Sequence, residues 1–161
     1  MTGSGITIGH ASARDLGQVL RLSAELFQDN DPRELAGSYH KSLMNPQEAF
    51  FLVHEGPQAI GFAHMSIRHD YVEGALEGRA CAYLEAIYIQ EEWRLGGLGR
   101  RLVDACRQWA KDQGCRQLAS DTPLDNQASL DFHLKLGFSE AGRLVHFIET
   151  LEEVQKPDAR T

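Results

Sequence analysis

The chain has 161 residues, of which 42% are hydrophobic and 24% charged, with a formal net charge of −7. That size and balance fit a single globular domain over residues 1–161 with its folded part at about 5–150. An acidic balance disfavours a nucleic-acid partner, whose phosphates demand a basic surface; it suits a cationic ligand, or simply keeps the protein in solution.

No apolar run approaches membrane-spanning length, and "MTGSGITIGHASARD" lacks the basic-then-apolar pattern of a secretion signal, so a cytoplasmic protein with no membrane partner is expected. In chain order, "ITIGHAS" reads as a first strand, and Ser12 with Asp15 three residues on opens a helix to about Phe27. Asp31-Pro32-Arg33-Glu34 supplies a capping acid and a proline at the first helical position, predicting a second helix to about Met44. "AFFLVHEGPQAIGFAHMSIRHD" is two strands around the turn Glu55-Gly56-Pro57-Gln58. After the loop "YVEGALEGR", the unbroken apolar run "ACAYLEAIYI" suits a strand covered on both faces.

The next stretch, "EEWRLGGLGRRLVDACRQWA", combines two signals. Leu98, Leu102, Ala105 and Trp109 share one helical face, yet Gly96, Gly97 and Gly99 crowd the start of that helix and no side-chain oxygen caps it. "CRQLASDT" is a further strand, making a βαβ crossover. "DNQASLDFHLKLG" is a shorter helix ending at Gly137, "FSEAGRLVHFIETL" supplies closing strands, and "EEVQKPDART" is a polar tail. The fold class is α+β, a mixed sheet with helices on its faces. Cys81, Cys106 and Cys115 are odd in number, lack metal-ligand spacing and read as small core residues.

An uncapped helix N-terminus presents unpaired N–H groups and the positive end of the helix dipole, so the glycine turn is a candidate phosphate site; it could equally be only a tight corner. It is neither a P-loop nor a dinucleotide fingerprint. Glu85 interrupts an apolar strand, and Asp121 ends the parallel strand after it, where ligands bind at strand carboxyl ends. Both should approach one cleft, able to attract a cation and accept its proton. The plainer alternatives are a carboxylate paired with an arginine for Glu85 and a turn or cap residue before Pro123 for Asp121. The histidines form no H-E-x-x-H or comparable pattern, so no metal is expected.

Arg94-x-x-Gly97-x-Gly99, after an apolar strand and opening a long helix, resembles the pyrophosphate loop of the GNAT superfamily of acetyl-CoA-dependent N-acetyltransferases, and "NQASLDFHLKLGF" resembles that superfamily's later helix. "IGFAHMSIRHDYVEG", "YLEAIYI" and "GCRQLASDTPLDN" are similar to segments of the aminoglycoside 6'-N-acetyltransferases, bacterial antibiotic-resistance enzymes. The resemblance implies a GNAT fold: a mixed, mostly antiparallel sheet with helices on both faces and a central parallel pair splayed to hold acetyl-CoA. It also implies direct attack by a substrate amine in a ternary complex, and a homodimer. Backbone groups of Ile87, Tyr88 and Ile89 would bind the pantetheine arm. N–H groups near Arg94, Gly96, Gly97, Leu98, Gly99 and Arg100 would hold the pyrophosphate, and Asn126 joins the cofactor contacts.

Within the same likeness, Asp121 and Glu85 are the catalytic and substrate-binding acids, and Tyr71 matches a substrate-contacting position, though a loop tyrosine could be partial packing. His133 stands where many members carry a general-acid tyrosine, and could instead pack or orient the cofactor. Phe27 replaces an aromatic, commonly tryptophan, that walls the substrate. Arg100 and Arg101 could touch phosphates or form a solvated face. Two further readings are a GNAT enzyme for another amine (polyamine, amino acid or peptide N-terminus) and a non-catalytic acyl-CoA- or cation-binding module.

Overall fold

The computed structural model describes residues 5–152, so the polar tail beyond Glu152 lies outside the described residues. Five strands run in sheet order as in sequence: β1 (Ile6–His10), β2 (Glu48–Glu55), β3 (Gln58–Arg68), β4 (Cys81–Ile89) and β5 (Leu118–Ser120). The β1–β2, β2–β3 and β3–β4 pairs are antiparallel, and only β4–β5 is parallel, as the crossover through the intervening helix requires. The helices are α1 (Leu16–Leu26), α2 (Pro32–Met44), α3 (Leu98–Asp112) and α4 (Gln127–Lys135).

Local chemistry accounts for the boundaries. Asp15 accepts the Ser12 N–H at 2.8 Å ahead of α1, and Asp31 accepts the Arg33 N–H at 2.8 Å beneath Pro32. Gly137, at φ +96°, ends the α4 region in the left-handed conformation open to glycine.

The sheet is covered on both sides. Leu102, Val103, Cys106 and Trp109 of α3 pack on Val53, Ala63, Met65, Ala82 and Leu84; Val19 and Leu22 of α1 with Tyr39 of α2 pack on Phe50, Leu52 and Phe62 opposite. All three cysteines are buried free thiols, and burial pushes the Cys106 thiol up to about 12.

Two expectations are corrected. Residues 138–150 form no strand: "FSEAGRLVHFIETL" has the β-branched and aromatic content of strands, but no neighbour among the described residues supplies a ladder, and propensity alone does not make one. Phe147 and Ile148 stand 92% and 98% exposed. Among the described residues the parallel pair is therefore at the edge of the sheet, not at its centre, with β5 the last strand.

Candidate active site

The site begins where β4 and β5 part. Their pairing runs Ala82–Leu118, Tyr83–Ala119, Leu84–Ser120 and stops, so among the described residues β4 from Ala86 to Ile89 is paired only with β3. On that other side the ladder skips one residue: Met65 faces Leu84, His64 faces Ala86, and Glu85 is the extra residue of a β-bulge. A bulge bends its strand and re-aims a side chain, which separates β4 from β5 and turns Glu85 out of the apolar register.

Glu85 is held by three donors. Ser66 Oγ donates to Oε1 at 2.6 Å, Arg68 Nε to Oε1 at 3.0 Å and Arg68 Nη2 to Oε2 at 2.8 Å. The arginine alternative is thus the arrangement found, and the hydrogen bonds that Arg68 donates to Glu85 raise the Arg68 pKa. Arg68 also lies over the Tyr83 ring, 3.4 Å from its centroid, and the Tyr83 hydroxyl donates to Asp121 Oδ2. Burial, and then that bond to Asp121, hold the phenol protonated far above the usual tyrosine range. Ser66, Arg68 and Tyr83 therefore join the two predicted carboxylates into one network. Alternation carries the missed signal: Tyr83 precedes Glu85 by two strand positions, and Arg68 follows Ser66 by two.

On the other side of the fork, His133 Nε2 lies 2.9 Å from Ser120 Oγ, and its Nδ1 lies 2.7 Å from the Ser129 carbonyl. Helix α4 thus brings His133 to the residue just before Asp121. The Thr122 hydroxyl, just after it, is buried without a hydrogen-bond partner among the described residues. No group of three or more His, Cys, Asp or Glu among the described residues is arranged to hold a metal ion.

At the glycine turn, Gly97 is the N-cap of α3 at φ +80°, no side chain caps the helix, and the first bond into it is Arg101 N–H to Gly97 O at 3.2 Å. The Leu98, Gly99 and Arg100 N–H groups precede that bond, and a Cβ on Gly96 or Gly97 would meet nothing within 4 Å. A glycine-walled, uncapped helix end fits a pyrophosphate, and the unpaired edge of β4 at Ile87, Tyr88 and Ile89 fits the amides of a pantetheine chain. The residues present therefore fit acetyl-CoA, which supplies the activated acetyl group.

Three side chains at the implied cofactor positions are engaged within the fold itself. The Arg94 N–H is spent on Glu91 O at 3.1 Å and its Nε on Ile89 O at 2.7 Å, so this residue braces the turn. Arg100 Nη2 donates to Lys135 O at 2.8 Å, tying α3 to the end of α4. Asn126 accepts the Ser129 N–H at 3.1 Å as the cap of α4. Gly99 has a packing reason of its own: a Cβ there would come within 2.7 Å of the Phe132 ring.

Tyr71 is 77% exposed and donates to Glu73 at 2.6 Å. Phe27 lines a small pocket between α1 and α2 with Leu20, Ala24, Pro32 and Leu35.

Comparison with known proteins agrees with this geometry. An aminoglycoside N(6')-acetyltransferase type 1 of Stenotrophomonas maltophilia is 36% identical over 154 residues, covering 94% of this chain and 98% of that protein. The solved structure of aminoglycoside N-acetyltransferase AAC(6')-Iy in complex with CoA superimposes with a TM-score of 0.87 at 31% identity, covering 91% of this chain and 96% of that one. AAC(6')-Ih from Acinetobacter baumannii, an aminoglycoside antibiotic 6'-N-acetyltransferase, gives 0.84 at 32% identity, covering 92% and 100%. The sequence profile of the acetyltransferase (GNAT) family matches residues 16–138, and the chain belongs to that family of acetyl-CoA-dependent N-acetyltransferases.

Proposed function

We propose that the protein is an aminoglycoside 6'-N-acetyltransferase that moves acetyl from acetyl-CoA to the antibiotic's 6'-amine by direct attack in a ternary complex, and so confers resistance from the cytoplasm. The observation that carries this reading is the Asp121 carboxylate, one residue past the last β4–β5 pair, with Oδ2 held by Tyr83. Its other oxygen is left to orient an ammonium and to take the proton the amine must lose, directly or through water, before the amine attacks a thioester. Glu85 serves the same site by holding Arg68 against Tyr83, and meets a substrate cation only where that cation shares the carboxylate with Arg68. Tyr71, exposed on the loop after β3, is placed to contact an antibiotic at the rim. Direct transfer is supported by the cysteines: all three are buried, and burial raises the pKa of each, so none offers a thiolate to carry the acetyl group.

The protein works in this reading as a homodimer. An exposed arm carrying Leu144, Val145, Phe147, Ile148 and Leu151, together with a β5 edge left unpaired among the described residues, supports that reading, since a second copy can cover either. Sedimentation velocity is expected to show two copies, and a chain ending at Gly142 is expected to sediment as one.

The activity is tested by thiol release with acetyl-CoA and paired aminoglycosides, with NMR of the products. Compounds bearing a 6'-amine should be acetylated there, and counterparts with a 6'-hydroxyl should react very poorly, because a hydroxyl is the weaker nucleophile and brings no charge to the carboxylate. Acetylation at another nitrogen, or turnover of other amines only, would overturn the assignment.

A further inference from the structure

Ser120 is the last β5 residue paired with β4, facing Leu84 at the apex of the fork, with Asp121 next in the chain. Its hydroxyl has two neighbours, His133 Nε2 at 2.9 Å and the Leu84 carbonyl at 3.3 Å. The histidine is oriented from behind: the Ser129 carbonyl, 2.7 Å from Nδ1, can only accept, so Nδ1 carries a hydrogen. Phe132 and Phe138 meet the His133 ring edge-on, with centroids 5.8 and 5.2 Å away.

The direction of the Ser120–His133 bond then depends on the charge of the ring. Neutral imidazole has a bare Nε2 and takes the serine's hydrogen. Imidazolium carries hydrogen on both nitrogens, so it donates to Ser120 Oγ and frees the hydroxyl hydrogen to point elsewhere.

We infer that Ser120 is the proton donor to the departing thiolate, supplied in turn by His133, so that the acid of this site is a serine–histidine relay. The inference rests on the acetyl-transfer reading above. As the amine nitrogen bonds to the carbonyl carbon and the carbon–sulfur bond breaks with its electron pair going to sulfur, Ser120 passes its hydroxyl proton to sulfur. His133 passes the Nε2 proton to Ser120 Oγ, and the neutral imidazole left behind is reprotonated from solvent. The amine's own proton leaves on the opposite side, through Asp121. The products are the amide and the free thiol.

The relay makes a claim that a merely structural Ser120–His133 contact does not. Ser120→Ala should lower kcat by about tenfold or more, the low end for loss of a general acid or below it, with the KM for acetyl-CoA within about twofold of the parent. His133→Gln should give the same loss, the double variant no further loss, and Ser120→Thr, which keeps a hydroxyl, should recover most of the rate. A readout independent of turnover is the 15N NMR of the His133 ring in the free protein: Nδ1 should carry a proton in every charge state of the ring, so that proton exchange with Ser120 is confined to Nε2, and the Nε2 resonance should move in Ser120→Ala. Should the alanine variant fold poorly, His133→Gln and the NMR of the parent carry the test. Parental kcat in either single variant, a loss confined to KM, or a ring whose Nδ1 is unprotonated would overturn the relay. Parent protein that releases no thiol with any amine would instead overturn the acetyl-transfer reading, and the relay with it.

Discussion

The two halves of the site are made from different materials. At the start of α3 the proposed cofactor cradle is backbone: Gly97 at φ +80°, an uncapped helix end, and side chains such as Arg94 and Arg100 turned to brace neighbouring elements. At the fork the proposed reacting end is side chain: Ser66 and Arg68 hydrogen-bonded to Glu85, Tyr83 hydrogen-bonded to Asp121, and the two groups joined by Arg68 over the Tyr83 ring. A backbone site tolerates changes of side-chain chemistry and fails when a Cβ is added. A side-chain site fails when one atom changes and its shape does not.

The sharpest way to break that contrast is Asp121→Asn, which keeps volume and removes the charge. Steady-state kinetics should show kcat lowered by about 10²–10⁴-fold, the range for loss of a general base, with acetyl-CoA affinity little changed. Retention of kcat would remove Asp121 from the chemistry. On the backbone side, Gly97→Val should raise the acetyl-CoA Kd at least tenfold in calorimetry. A β-branched residue at φ +80° carries strain of about 1–3 kcal/mol and brings its methyl groups to the cradle. Normal affinity would make the turn a corner only. Gly99 is the control for that logic, because a larger residue there meets Phe132 first and should lower Tm whatever happens to the cofactor.

A smaller effect is expected of Glu85→Gln. An amide cannot hold Arg68 as a carboxylate does, and a charge-assisted hydrogen bond is worth about 1.5–3 kcal/mol. Released, the guanidinium competes with the substrate's ammonium for Asp121, so the aminoglycoside KM should rise roughly tenfold with kcat less affected. A drop confined to kcat would move Glu85 from organising the site to reacting in it.

The smallest effect concerns His64, stacked on Phe50 at 4.2 Å between centroids and 2.8 Å from Glu48. Burial lowers its pKa against the opposing pull of Glu48. The unfolded chain then takes up the proton at about 6.5 while the folded protein resists it, so this contribution is full above that value and lost as pH falls toward the lowered one. Melting curves between pH 7.5 and 5.5 should show a decline that is shallower in His64→Gln.

Periodicity made the elements legible where burial decides them. The α3 stripe, the β2–β3 hairpin and the capped starts of α1 and α2 lie where the residues place them, because each apolar face has a layer to cover. The closing strands were not legible, since a strand is defined by its partner and residues 138–150 have none among the described residues. Within the site, Glu85 and Asp121 stand out as charges in or beside apolar strands. Tyr83 and Ser120 look like ordinary strand residues until the register sets them against Asp121 and His133. Asn126 and Gly99 show the converse: a motif position can be filled for local reasons, a helix cap in one case and room for Phe132 in the other.

The bulge at Glu85 has an arithmetic side. Ala82 and Leu84 before it and Ile87 and Ile89 after it all face α3, while Ala86 and Tyr88 face α1 and α2. With Glu85 left out, Leu84 and Ala86 would pair in sequence with Met65 and His64, and every remaining residue of β4 would keep its side. The carboxylate is therefore a single inserted letter that leaves the parity of the strand untouched. An eight-residue β4 would pack the same two layers, and what it would lack is the bend that opens the fork and the anion that holds Arg68.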